Sequence, residues 1–128
     1  RAVEATLAAE RSLGRTPVEM PRNNPGYDIQ STDSHGNVHY IEVKGRIEGS
    51  DTFTITTNEI TFAQTQGSRH RLALVQVSAN GPEHDQLLYV NDAIAHLDPT
   101  PTTRSYNEVW NDYWQRGRTP QLPAHPLQ

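Results

Sequence analysis

Gly26-Tyr27-Asp28-Ile29, answered twelve residues after Asp28 by Tyr40-Ile41-Glu42-Val43-Lys44-Gly45, is the stretch that decides how this chain folds. Side chains alternate along a strand, so Glu42 and Lys44 share one face about 7 Å apart while Ile41 and Val43 take the other, into the core. The intervening Asp33-Ser34-His35-Gly36-Asn37 is turn chemistry, and it predicts a hairpin between Tyr27–Ser31 and Val38–Lys44. With Asp28 at the end of the partner strand, its carboxylate approaches that of Glu42 across the ladder. Two hard oxygen ligands then face one cation, which is a magnesium site in outline. Such a site leaves waters on the metal, and the Lys44 ammonium is placed to orient or help deprotonate one for in-line attack on a phosphodiester. Lysine suits the task because its pKa can fall near a desolvated site, whereas arginine stays protonated.

An E-x-K triplet on a strand is also how an exposed antiparallel face pairs its charges. Three features favour a site. Of eleven basic residues ten are Arg, and the one Lys occupies this slot. Asp28 precedes it at hairpin distance. Glu10 interrupts the apolar stripe of a helix predicted over residues 2–13, with Val3 and Leu7, and so points a carboxylate inward, where it needs a metal or another cation to compensate it.

Beyond the hairpin, Thr16–Pro21 reads as an extended link, Asn23-Asn24-Pro25-Gly26 as a turn, and Gly45 and Gly49 as the brackets of a short loop. Thr52–Thr56 alternates as a third strand. Thr56 and Glu59 form a capping box ahead of a helix carrying Ile60, Phe62, Ala63 and Gln64. Leu72–Val77 is an apolar run suited to a central strand, and Leu87–Val90 is a further strand. Ser105 and Glu108 read as a second capping box, opening a last helix with Val109, Trp110, Tyr113 and Trp114 on one side and Gly117 at its end. That aromatic stripe is better read as core than as a base-stacking surface. Residues 1–118 are expected to form one domain, followed by a Pro-rich tail over 119–128.

Composition narrows the function classes. A chain of 128 residues with 34% hydrophobic content makes one modest core, and no apolar run is long enough to cross a bilayer. Without cysteine there are no disulfides or thiolate metal sites, which allows a reducing cytosol; a cytoplasmic setting is the expectation. The chain opens on Arg1 inside a predicted helix, without an apolar leader, and reads as a piece of a longer protein. A net charge of -4 argues against tight autonomous binding to phosphate backbones. The six histidines make no zinc set, since His35 and His39 lie in a hairpin where a four-residue spacing does not stack them as on a helix. No phosphate-binding or dinucleotide-binding glycine motif is present. Arg46, Arg69, His70 and Arg71 are candidates to meet phosphates.

The order of these pieces, a helix with Glu10, then Gly-Tyr-Asp28, Glu42-Val-Lys44-Gly, a third strand and a helix begun by Asn58-Glu59, resembles the PD-(D/E)xK nuclease superfamily. More closely it resembles the DUF3883 group, also called the NO VEIN C-terminal domain, over roughly residues 1–95. The resemblance implies an α/β, restriction-endonuclease-like fold, a mixed central sheet flanked by helices. It implies Asp28 and Glu42 as metal ligands, Lys44 as the catalytic lysine and Glu10 as an accessory ligand, with Glu59 and Gln64 as secondary candidates on the helix that borders such sites. Tyr27 stands where the proline of the superfamily's name would be, with Pro25 nearby. The implied activity is Mg²⁺-dependent hydrolysis of DNA, with Mn²⁺ able to substitute, in the terminal module of a larger restriction or phage-defence protein. DNA and the other domains of that protein would be its partners. The alternative is a catalytically inactive domain of the same fold that serves contacts with a protein or nucleic acid.

Overall fold

Two strands carry the hairpin, β2 (Ile29–Thr32) and β3 (Val38–Ile47), antiparallel with Ile29 opposite Ile41 and Thr32 opposite Val38. Asp33 closes the turn between them by accepting the backbone N–H groups of His35 and Asn37, each at 2.9 Å. The computed structural model describes residues 1–24, 26–47 and 49–121. Pro25 of the predicted turn and most of the Pro-rich tail lie outside the described residues.

The extended link is a strand, β1 (Thr16–Glu19), which adds to β2 antiparallel. On the other side β3 pairs in parallel with β5 (His70–Val77), and β6 (Gln86–Asn91) pairs antiparallel with β5. The sheet order is therefore β1-β2-β3-β5-β6, mixed as expected. The parallel pair needs a crossover. It runs through β4 (Thr52–Thr56) and the helix α2 (Thr57–Gln66).

The loop expected between Gly45 and Gly49 begins later than the glycines suggest. Strand β3 continues to Ile47 because β5 offers it partners that far, Gly45 beside Val75 and Ile47 beside Val77. Gly45 instead serves packing, since a Cβ there would stand 2.7 Å from Cβ of Ala2 at the start of helix α1 (Ala2–Ser12).

A second correction concerns Ser105 and Glu108. They cap no helix: Ser105–Val109 is a strand, β7, paired along all five residues with β4, and the helix α3 is only Trp110–Trp114. Strand β4 otherwise has an open edge, and satisfying its backbone groups outweighs a local capping preference. Glu108 accepts the Tyr113 hydroxyl at 2.5 Å instead.

The alternation of β3 and β5 divides the interior in two. On one face Leu7 of α1 packs with Ile29, Ile41, Ala73 and Tyr89. On the other, Leu72, Leu74 and Val90 meet Ile60 and Ala63 of α2, Phe53 and Ile55 of β4, and Trp110 and Tyr113 of α3. The aromatic stripe is thus core, with Phe53 edge-on to both Trp110 and Tyr113. Among the described residues no helix is long and apolar enough to cross a membrane.

Candidate active site

The ladder between β2 and β3 ends at Ile29, and Asp28 marks the fork. Its N–H still donates to the Ile41 carbonyl at 2.9 Å, its carbonyl accepts from Met20 N–H at 2.8 Å, and its Oδ2 accepts the Val43 N–H at 2.8 Å. A side-chain oxygen thus takes the bond that a further strand residue would have taken, and the carboxylate is held against β3 where the strands part.

Glu42 and Lys44 do share a face, the one covered by α2, and both are largely withdrawn from water. Lys44 Nζ lies 3.4 Å from Glu42 Oε1 and 3.0 and 3.1 Å from the two oxygens of Glu59. Glu59 is brought there by its cap: its N–H donates to Thr56 Oγ1, and its Oε1 accepts the Thr56 N–H at 2.8 Å. A residue whose spacing explains it as a helix cap therefore also holds the lysine. Its second contact was not legible from spacing, because it depends on how α2 crosses β3.

Two carboxylates, Glu42 and Glu59, face one ammonium, and with the charge of Asp28 also acting on Glu42 the balance is negative. Burial first, then the hydrogen bond and charge of Glu59 and the charge of Asp28, push the Glu42 carboxyl up to about 10 against the pull of Lys44. Burial also raises Glu59, but the hydrogen bond from Glu42, the charge of Lys44 and the Thr56 N–H outweigh it and leave that carboxyl below its ordinary value. For Lys44 burial acts downward, and the charges of Glu42 and Glu59 overcome it, so its pKa is raised. A lysine's pKa can fall at a desolvated site, but here the carboxylate neighbours raise it. Within the carboxyl pair the proton is thus favoured on Glu42, the more deeply buried, and the charge on Glu59 beside the Lys44 ammonium.

The other candidates separate. Glu10 is fully buried, but on the α1 face, where its Oε2 takes Arg15 Nη1 at 2.8 Å and the Tyr89 hydroxyl at 2.7 Å. The cation that compensates it is Arg15, a partner five residues on across the helix end, which no helical period reveals. The structure does not bring Glu10 to Asp28 and Glu42. Gln64 is also elsewhere: it donates to the Ala95 and Leu97 carbonyls at 3.1 and 3.0 Å and ties α2 to the segment after β6. Arg46 stacks over Trp110, and Arg71 lies on the α1 face with His39. His70 is buried near Glu59 and Phe62; burial pushes its pKa down to about 4.

Among the described residues no three His, Asp or Glu side chains converge as a ready metal cage. Magnesium rarely asks for one, since it is usually held by one or two carboxylates with waters and substrate phosphates completing the shell. Asp28 and Glu42 supply that many hard oxygens, and the surplus negative charge that keeps Glu42 protonated is what a divalent cation would relieve. The donor set fits.

Comparison with known proteins bears on this geometry. The family model described as Protein NO VEIN, C-terminal matches residues 1–90. The chain belongs to that family. Its fold is shared with Archaeoglobus fulgidus Hjc, a Holliday junction resolvase from an archaeal hyperthermophile, at a TM-score of 0.56 and 15% identity, over 91% of this chain and 94% of that one. The NO VEIN C-terminal fold seen here is therefore restriction-endonuclease-like, as the resemblance implied. No curated protein matches the chain.

Proposed function

We propose that the chain is a metal-dependent nuclease domain that hydrolyses DNA phosphodiester bonds. The observation that carries this reading is the meeting of Asp28, Glu42 and Lys44 where β2 and β3 part. The fold shared with a junction resolvase supports it. Asp28 and Glu42 would hold Mg²⁺, or Mn²⁺ in its place. When bound, such an ion lowers the pKa of a coordinated water and neutralises charge on the phosphate.

The chain's own residues do the rest. Glu42 would have to lose its proton to serve as a ligand to the cation. Lys44 acts as an ammonium rather than as a base, because its carboxylate neighbours keep it charged. It donates hydrogen bonds that orient the attacking water and stabilise charge growing on the phosphate oxygens. Glu59 is a positioning residue that holds Nζ in place.

Within this reading the domain is the terminal module of a larger protein in a restriction or phage-defence setting, with DNA and the other domains as partners. A plasmid-nicking assay with Mn²⁺ tests it: wild type nicks, and Asp28→Asn and Lys44→Arg do not. A wild type that binds metal yet never nicks, even within the parent protein, overturns it in favour of a silent domain.

A further inference from the structure

Three rings that lie close in sequence to Asp28, Glu42 and Glu59 are in mutual contact. Tyr27 stacks on Phe62 with centroids 4.6 Å apart and planes 20° apart, and Tyr40 meets both edge-on at 5.0 and 5.2 Å. Each ring is a short step from an acidic residue. Tyr27 immediately precedes Asp28. Tyr40 is two residues before Glu42 on the same face of β3. Phe62 is three residues after Glu59 on the same side of α2. All three rings are half-buried, and they belong to neither of the two buried cores. The cluster is also closely fitted, for Gly26 has φ +93° and a Cβ there would stand 2.7 Å from Cβ of Phe62.

A partly exposed aromatic cluster next to the proposed phosphate-cutting site has a natural occupant, a nucleobase. Rings take a base of any identity by its π-face. A base inside a duplex has both faces covered by its neighbours, so the platform can hold only one that is unpaired or lifted out. Electrostatics does not supply the grip here. The net charge is -4, and Lys44 is already paired with Glu59.

We infer that Tyr27, Phe62 and Tyr40 form a stacking platform for an unpaired base next to the scissile phosphate, so that the domain prefers DNA with unpaired nucleotides over continuous duplex. This rests on the nuclease reading for its substrate, but it makes a binding claim that can be tested without cleavage.

The test is a fluorescence titration, in EDTA, of a short oligonucleotide carrying 2-aminopurine, single-stranded and annealed to its complement. Wild type is expected to quench the single strand and leave the duplex nearly unchanged. Tyr27→Leu and Phe62→Leu should weaken single-strand binding by about 5- to 150-fold, the range of one base–aromatic stack. That ratio should not move with salt, because no charge is altered. Tyr27→Phe should restore binding. Circular dichroism melts establish that each variant folds. The inference is overturned when wild type fails to quench the single strand, when both strands quench alike, or when folded leucine variants bind as wild type does. Quenching without any Mn²⁺-dependent nicking removes the nuclease reading and keeps the platform; nicking without quenching does the reverse.

Discussion

Lys44 is bound more closely to Glu59, on the neighbouring helix, than to Glu42, its neighbour on its own strand: 3.0 Å against 3.4 Å. Glu59 also caps α2 through the Thr56 N–H. One carboxylate therefore fixes both the start of a helix and the position of an ammonium on the central sheet.

Because that ammonium is compact and its partners are spaced for it, Lys44→Arg should cut Mn²⁺-dependent nicking by at least about 100-fold. The positive charge survives, so the variant should still fold, as circular dichroism melts would establish. Arginine's planar fork is no substitute for three rotatable donors at a single point. Nicking at the wild-type rate in a plasmid assay would remove Lys44 from catalysis.

The raised Glu42 carboxyl has a definite pH signature. Its folded pKa of about 10 lies above the ordinary 4.5, so the folded state holds a proton that the unfolded chain releases in between, and stability falls as pH rises through that window. His70 works oppositely. With a folded pKa of about 4 against 6.5, it withdraws stability as pH falls through that interval. The two slopes offset each other below 6.5 and leave Glu42 alone above it. The melting temperature of wild type should therefore decline from pH 7 to 9. Glu42→Gln should raise it at pH 8 and flatten the decline. A steeper decline in the variant, read by differential scanning calorimetry, would contradict the protonated assignment.

Metal should act as a stabilising ligand. If Asp28 and Glu42 engage Mg²⁺ or Mn²⁺, saturation at about 100 times the dissociation constant adds about 2.7 kcal/mol, several degrees in a domain of this size. Asp28→Asn should abolish that rise. Thermal melts with and without about 10 mM metal decide it; no shift in wild type removes the metal site.

Much of this arrangement was legible in the sequence because it rests on short-range rules. The turn at Asp33–Asn37, the alternation around Glu42 and the box of Thr56 and Glu59 each involve residues a few positions apart, and each is present in the structure. What was not legible depends on distant chain segments. Ser105–Val109 became a strand because β4, fifty residues earlier, needed an edge partner. The Tyr27–Phe62–Tyr40 platform joins three elements. Glu10 was correctly read as an inward carboxylate needing a cation, but its cation, Arg15, and its hydroxyl donor, Tyr89, sit on the far face of the sheet.

That placement gives the last prediction, which tells a structural Glu10 from a ligating one. Glu10 and Arg15 form a buried pair, with side chains 0% and 4% exposed and 2.8 Å between Oε2 and Nη1. Removing one member strands the other charge in the interior, which costs about 3–5 kcal/mol. Arg15→Met should therefore lower the melting temperature by 10 °C or more, by order of magnitude. Replacing both residues together, as Glu10→Gln with Arg15→Met, should recover much of the loss, because no lone charge is left buried. The metal test separates the roles. A Glu10 that only neutralises Arg15 leaves the Mn²⁺-induced rise of the double variant equal to that of wild type, while an accessory ligand would take part of that rise away. Thermal melts of wild type and the double variant across a Mn²⁺ titration measure the difference. A reduced rise in the folded double variant would put Glu10 back at the metal, across the sheet from where its hydrogen bonds now hold it.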